Sequence, residues 1–183
     1  MAKLETFLSA RREVQDALEF THSDPATGLY NWNGLLTRAV EMVADAQRSG
    51  RWTGCVAIGP REGHPGRREL LDRIAKTLEE VTRDSDPTGF LGSTDFIVLA
   101  PGTDEEGTAI LAQRLIDSLH GAPRSEERRK SALEFAAGYY SARDEDGGSL
   151  RAQDLVERTM EALRTAQTAD AGSPAILPFH HLA

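Results

Sequence analysis

The chain has 183 residues, 39% of them hydrophobic, and its 21 basic and 29 acidic side chains give a net charge of −8. This acidic balance argues against binding of nucleic acid or another polyanion through overall charge. A lone cysteine excludes an intramolecular disulfide, and no apolar run reaches the roughly 18 residues that a membrane span needs. A chain of this length can bury one core, so we expect one domain with a short appendage. Charged residues stand where a signal peptide would be apolar, so we expect the domain to be soluble and cytoplasmic, with no membrane partner.

Residues 1–22 are predicted to form the appendage, an amphipathic helix. They contain no glycine or proline, and apolar side chains recur at heptad-like spacing. The stripe consists of Leu4, Phe7, Leu8, Val14 and Leu18. We expect this helix to mediate self-association or to dock on a partner protein, the alternative being that the stripe packs on its own domain. Residues 23–183 then make up a single domain.

Turn signals and hydrophobic periodicity predict the elements of that domain. In chain order they are a turn (25–31), a helix ending at Gly50, a buried strand (53–59), a helix ending near Val81, strands at 89–91 and 95–100, a helix opening at 104–106, a strand (133–142), a helix (149–168) and a short strand within 175–179. The two middle strands are close enough to form a hairpin with its tip at residues 92–95.

The central elements, residues 53–142, follow the order β-α-β-β-α-β. This order is that of the ferredoxin-like split motif, in which an antiparallel sheet carries helices on one face. We therefore predict an α+β fold with a palm-type core and an antiparallel-rich sheet, preceded by the N-terminal helix.

Motifs for phosphate loops, dinucleotide binding, thiol pairs and zinc proteases are missing from the sequence. Only His180 and His181 are neighbouring histidines, and adjacent residues of an extended tail point apart. Cys55 falls in a predicted core strand, where packing is the favoured role. We expect no metal and no cofactor.

Three segments carry recognisable motifs: residues 24–31 (DPATGLYN), residues 92–96 (GSTDF) and residues 161–167 (EALRTAQ). In this order and spacing they resemble motifs of GGDEF domains, the diguanylate cyclases of bacterial signalling. Residues 24–31 (DPATGLYN) resemble the family's opening motif, with departures at Ala26 and Trp32. Residues 161–167 (EALRTAQ) resemble its final-helix motif. The signature hairpin is represented, in degenerate form, by Gly92, Ser93, Thr94, Asp95 and Phe96. The resemblance runs from about residue 24 to residue 179 and implies the family's fold.

When the sequence is compared with the family motif that it resembles, the acids that bind metals in active members are missing. Active members hold divalent metals with an acid at the end of the first strand and another in the signature, and these metals neutralise the triphosphate and activate the attacking hydroxyl. Here Gly59 and Thr94 stand at those positions, and Asp95 is left as a lone acid. One carboxylate does not make a two-metal site.

Substrate contacts of the family are replaced as well. Ser93 replaces the second glycine of the signature, Gln167 replaces a phosphate-binding lysine, and the basic loop at residues 61–68 lacks the Asn and Asp that read guanine. Because both the metal-binding residues and the substrate contacts are altered, we predict that the chain has no cyclase activity and no catalytic residue.

A second feature of the family is retained. Many members bind their product, cyclic di-GMP, at an Arg-x-x-Asp motif five residues before the signature, and Arg83 and Asp86 have that spacing from Gly92. Arg114, on the helix after the hairpin, falls where a further arginine completes the site. Guanidinium groups suit phosphate oxygens and guanine acceptors, and a carboxylate suits guanine N–H donors. The simpler interpretation is an exposed ion pair at a helix end.

Three functions follow from these observations. The first is a catalytically inactive receptor for cyclic di-GMP, with the N-terminal helix passing the signal to a partner. The second is an interaction or dimerisation module of the same fold that has lost every ligand site. The third, a weak cyclase or a GTP-binding regulator, is disfavoured by Gly59 at the end of the first strand.

Overall fold

The computed structural model describes residues 22–61, 67–121, 134–144, 150–169 and 175–179. The predicted helix at residues 1–22 lies outside these ranges except for its last residue. In chain order the elements are α1 (Trp32–Ser49), β1 (Thr53–Pro60), α2 (Arg67–Val81), β2 (Thr88–Phe90), β3 (Phe96–Pro101), α3 (Glu105–His120), β4 (Phe135–Ala142), α4 (Ala152–Thr168) and β5 (Ile176–Pro178). Each element predicted for residues 25–179 is present, with bounds that differ by a few residues at most.

The strands form one sheet in the order β2-β3-β1-β4-β5. Strand β1 lies at its centre and pairs antiparallel with both β3 and β4, so that Ile58 is opposite Phe96 on one side and Ala137 on the other. The predicted antiparallel core is confirmed. The last strand pairs parallel with β4, which makes the sheet mixed. A three-residue strand carries no sequence pattern that fixes its direction.

Helices cover both faces of the sheet. Helices α2 and α3 pack on one face against Val56 and Ile58, as the split motif predicts, whereas α1 and α4 pack on the other against Cys55 and Ala57. Neighbouring strand residues point to opposite faces, so a strand covered on both sides must be apolar throughout. This explains the unbroken burial of β1, whose eight residues are all buried.

The ends of α1 follow local rules. The Asn31 side chain accepts a hydrogen bond from the Gly34 N–H at 2.9 Å, which satisfies one of the free donors of the first turn. At the other end Gly50 takes a left-handed conformation (φ 62°) and donates to the carbonyl of Ala46. None of the helices in the described ranges is long and apolar enough to cross a membrane.

Candidate functional site

The hairpin between β2 and β3 has its tip where the sequence predicts it. The Leu91 N–H donates to the Asp95 carbonyl at 3.0 Å, and the Asp95 N–H donates to the Gly92 carbonyl at 3.3 Å. Gly92 and Ser93 both have positive φ, 86° and 53°. An L-residue in this left-handed region costs about 1–2 kcal/mol, whereas glycine adopts it freely. Ser93 therefore occupies a backbone conformation that suits a glycine.

Two of the positions that depart from the family pattern, Gly59 and Gln167, meet the remaining acid, Asp95, at the end of β1. The Gln167 amide nitrogen, Nε2, donates to Asp95 Oδ1 at 3.0 Å and to the Pro60 carbonyl at 3.1 Å. Gly59 lies directly beneath this contact. A methyl group at Gly59 would overlap Asp95 Oδ1 and would lie 2.8 Å from Gln167 Nε2. The absence of a side chain at residue 59 is what lets Asp95 and Gln167 join.

The Asp95 carboxylate is a half-buried single acid. Burial raises its pKa above the ordinary value, while the hydrogen bond from Gln167 and the nearby charge of Arg164 act in the opposite direction. Within the described ranges, no group of three or more His, Cys, Asp or Glu side chains is close enough to hold a metal ion. The described residues around Asp95 do not fit a pair of divalent metals, because they form no such group and the Gln167 amide already donates to one oxygen of the carboxylate.

The second candidate site lies in the loop that precedes β2. Asp86 is only 7% exposed, and its carboxylate accepts from the Arg83 backbone N–H at 3.1 Å and from the Ser85 hydroxyl at 3.3 Å. The Asp86 N–H in turn donates to the Arg83 carbonyl at 2.9 Å. Asp86 therefore organises the loop itself. A carboxylate offers about four acceptor positions, so capacity remains for a ligand.

Arg83 and Asp86 share the wall of a cavity of about 810 Å³. The cavity lies between α2, the loop ahead of β2 and the turn at residues 27–30. Charged side chains of both signs line it: Arg38, Lys76 and Arg83, with Asp72, Glu79, Asp84 and Asp86. Arg83 itself is exposed, so its guanidinium is accessible from the cavity.

Arg114, the third predicted ligand residue, lies near this loop but outside the cavity lining. Its guanidinium donates to the Val81 carbonyl at 3.2 Å, where α2 ends two residues before Arg83. The structure thus brings Arg83 and Asp86 together on one cavity and places Arg114 beside the end of α2. The role of all three as ligand-binding residues stays a prediction.

Sequence reasoning missed the contribution of the turn at residues 24–30 to this cavity. Tyr30 lies alongside β2, where its N–H donates to the Thr88 carbonyl at 3.0 Å and its carbonyl accepts from the Phe90 N–H at 2.8 Å. This parallel contact joins residues far apart in the chain, so no local periodicity signals it. The place of Arg38 and Lys76 in the cavity lining was not predicted either, because in the sequence both resemble ordinary exposed helix residues.

Comparisons with known proteins agree with the fold. The family model described as diguanylate cyclase, GGDEF domain, matches residues 21–172. The active GGEEF domain of a diguanylate cyclase from Vibrio cholerae is similar with a TM-score of 0.66 at 21% identity, over 82% of this chain and 97% of that one. No curated protein matches.

Two further solved structures are of complexes. The GGDEF domain of DgcB from Caulobacter crescentus, in complex with c-di-GMP, gives a TM-score of 0.70 at 14% identity, over 87% of this chain and 94% of that one. The diguanylate cyclase SiaD in complex with its activator SiaC, from Pseudomonas aeruginosa, gives a TM-score of 0.67 at 24% identity, over 96% of this chain and 68% of that one. At these identities the likeness shows a shared fold.

Proposed function

This chain belongs to the GGDEF family of diguanylate cyclase domains, and we propose that it is a non-catalytic member that serves as a receptor for cyclic di-GMP. The proposed ligand site consists of Arg83 and Asp86, with Arg114 beside them. The observation that carries the proposal is that Arg83 and Asp86 line one large, open cavity at the opposite end of β2 from the hairpin.

The surroundings of Asp95 support the absence of catalysis. Phosphodiester formation on two metals needs carboxylates that share the ions, and among the described residues Asp95 belongs to no group of three or more potential metal ligands. An acid at residue 59 would require the side chain of Asp95 to move, because its Cβ would overlap Asp95 Oδ1. Gln167 donates to the same carboxylate oxygen, so one oxygen of Asp95 is already paired with an amide.

The chemistry of the cavity supports a nucleotide ligand. A guanidinium such as that of Arg83 forms paired hydrogen bonds to phosphate oxygens or to the acceptors of guanine. The carboxylate of Asp86 is held in place by its own loop and can still accept from guanine N–H groups. DgcB, which shares the fold, forms a complex with c-di-GMP.

Calorimetric titration of the full chain with cyclic di-GMP, and separately with GTP, tests the receptor function. We expect heat of binding for cyclic di-GMP at micromolar concentrations and none for GTP. Arg83→Ala should weaken binding at least about tenfold, since a charge-assisted hydrogen bond to phosphate is lost. Arg48→Ala is the matched control, because Arg48 is an exposed arginine paired with Asp45 outside the cavity.

Asp86 distinguishes a specific site from simple attraction of an anion. Asp86→Asn keeps an oxygen that can accept from the Arg83 N–H, so the loop is preserved, but removes the charge that strengthens bonds to guanine donors. Weaker binding by this variant supports a specific site. Equal or tighter binding would indicate that the cavity merely attracts negative charge.

Incubation of the protein with GTP and magnesium or manganese, followed by chromatography, tests the absence of catalysis. We expect no cyclic di-GMP above a blank without protein. Product well above that blank would overturn the non-catalytic assignment.

A second candidate, the interaction module, is favoured if no heat of binding is found at high micromolar ligand. SiaD, which shares the fold, forms a complex with a partner protein. We propose that residues 1–22 form the surface for self-association or for such a partner in either case.

A further inference from the structure

We propose that the turn at residues 24–30 is the second wall of the ligand site and passes ligand binding to the segment that precedes residue 22. The inference rests on the proposed function, because it requires a ligand at Arg83 and Asp86. In the sequence analysis this motif only helps to identify the family. The inference gives it a role in signalling.

The turn is organised around the Asp24 side chain. Asp24 Oδ1 accepts from the backbone N–H of Ala26 at 3.1 Å, the backbone N–H of Thr27 at 2.9 Å and the hydroxyl of Thr27 at 2.8 Å. The backbone closes the turn, with the Gly28 N–H donating to the Asp24 carbonyl at 2.8 Å and the Asp24 N–H to the Leu29 carbonyl at 2.7 Å. Hydrogen bonds to one carboxylate thus make residues 24–29 a single unit that moves together.

Part of this unit lines the same cavity as the proposed ligand residues. Residues 27–30 form one part of the cavity wall, and the loop containing Arg83 and Asp86 forms another. Both parts are attached to the same strand, because Thr88 follows that loop directly and its carbonyl accepts from the Tyr30 N–H. A ligand as large as a cyclic dinucleotide, held by Arg83 and Asp86, would therefore contact the turn and restrict its motion.

The turn also fixes the point at which the preceding segment leaves the domain. Ser23 pairs antiparallel with Tyr30, and the His22 carbonyl accepts from the Asn31 N–H at 3.0 Å. His22 lies against the first turn of α1 at Gly34, where an added methyl group would overlap the His22 carbonyl oxygen and lie 2.9 Å from its Cβ. Because residues 22 and 23 are bonded to the chain at residues 30 and 31, restricting the turn restricts them as well.

Hydrogen exchange of the full chain, measured with and without saturating cyclic di-GMP, tests the inference. We expect the amides of residues 22–31 to exchange at least about threefold more slowly with ligand, and peptides covering residues 10–21 to change their exchange as well. Asp24→Ala removes three accepted hydrogen bonds and should abolish both changes while binding is retained with reduced affinity. Asp24→Asn keeps an accepting oxygen and should restore them.

Asp104→Ala is the matched control. Asp104 likewise accepts from a backbone N–H at the start of an element, that of Gly107 at 2.9 Å, but lies outside the cavity lining. Its removal should leave the ligand-induced exchange pattern as in the unaltered chain. Binding by calorimetry without slower exchange at residues 22–31 overturns this inference and leaves the receptor function standing. Absence of binding overturns both.

Discussion

At the scale of single residues, Asp95 is a half-buried acid whose carboxylate accepts a hydrogen bond from Gln167. Burial raises its pKa, and the Gln167 amide together with Arg164 offsets part of that effect. A group whose pKa is higher in the folded than in the unfolded chain favours folding at pH values below its ordinary pKa, and this contribution is lost as the pH rises through the folded value. The charged form of Asp95 is therefore a net cost at neutral pH.

We accordingly expect Asp95→Asn to raise the free energy of unfolding at pH 7, and to raise it less at pH 4. Asparagine retains an oxygen that can accept from Gln167, so the contact with α4 is kept. Urea unfolding at the two pH values measures the difference, with exposed Asp84→Asn as the control. A lower stability of the variant at pH 7 would show that the charge contributes favourably.

Cys55 provides a second residue-scale test. It is completely buried in the central strand, and burial raises the pKa of its thiol to about 12, although a hydrogen bond with Thr159 acts in the opposite direction. A thiol that stays protonated and covered does not react as a nucleophile. We expect no labelling by a thiol reagent in the folded chain and one label per chain after unfolding; rapid labelling under native conditions would contradict the burial.

At the scale of elements, the packing of α4 on β4 depends on one glycine. A methyl group at Gly138 would overlap the backbone of Leu163 and lie 2.7 Å from its Cα. Backbone atoms cannot turn aside as a flexible side chain can, so a larger residue must displace the helix. This helix carries Gln167, and its position therefore decides whether the Asp95 contact forms.

Gly138→Ala should therefore lower the free energy of unfolding by about 1–3 kcal/mol or more through overpacking. Gly102→Ala is the control: Gly102 has φ 70° and open space around it, so only the backbone strain of about 1 kcal/mol is expected. Denaturant unfolding of both variants measures the difference. An equal loss in the two would show that α4 accommodates the methyl group.

At the scale of the whole molecule, two hydrophobic cores share one sheet. One core lies between the sheet and helices α2 and α3, and the other lies between the sheet and helices α1 and α4. Together they cover both faces of β1 and β3. Among the residues that the structure describes, those that form the two cores all follow position 28.

If the stripe serves self-association as proposed, a chain that begins at Thr21 should keep its thermal midpoint within about 4 °C of the full chain, because a change of about 1 kcal/mol shifts a domain of this size by about that amount. Light scattering should show a lower assembly mass for the shortened chain, because the stripe for self-association is removed. An unchanged mass would count against a dimerising helix, and a large loss of stability would show that the stripe packs on its own domain.

The sequence by itself determined the order and kind of the elements, because apolar spacing, capping residues and glycines act over a few neighbouring residues. The hairpin tip, the left-handed Gly50 and the buried central strand follow from such local rules. The resemblance to the family also indicated Arg83 and Asp86 as a pair, and both belong to one short loop.

Only the tertiary structure decided which distant residues meet. Gly59, Asp95 and Gln167 come together because β1, the hairpin and α4 end at one point. The turn at residues 27–30 and the Arg83 loop line one cavity because Tyr30 pairs with β2. Contacts between residues this far apart depend on strand order and on the faces that helices cover. Local sequence does not encode these features, because many chain folds satisfy the same local preferences.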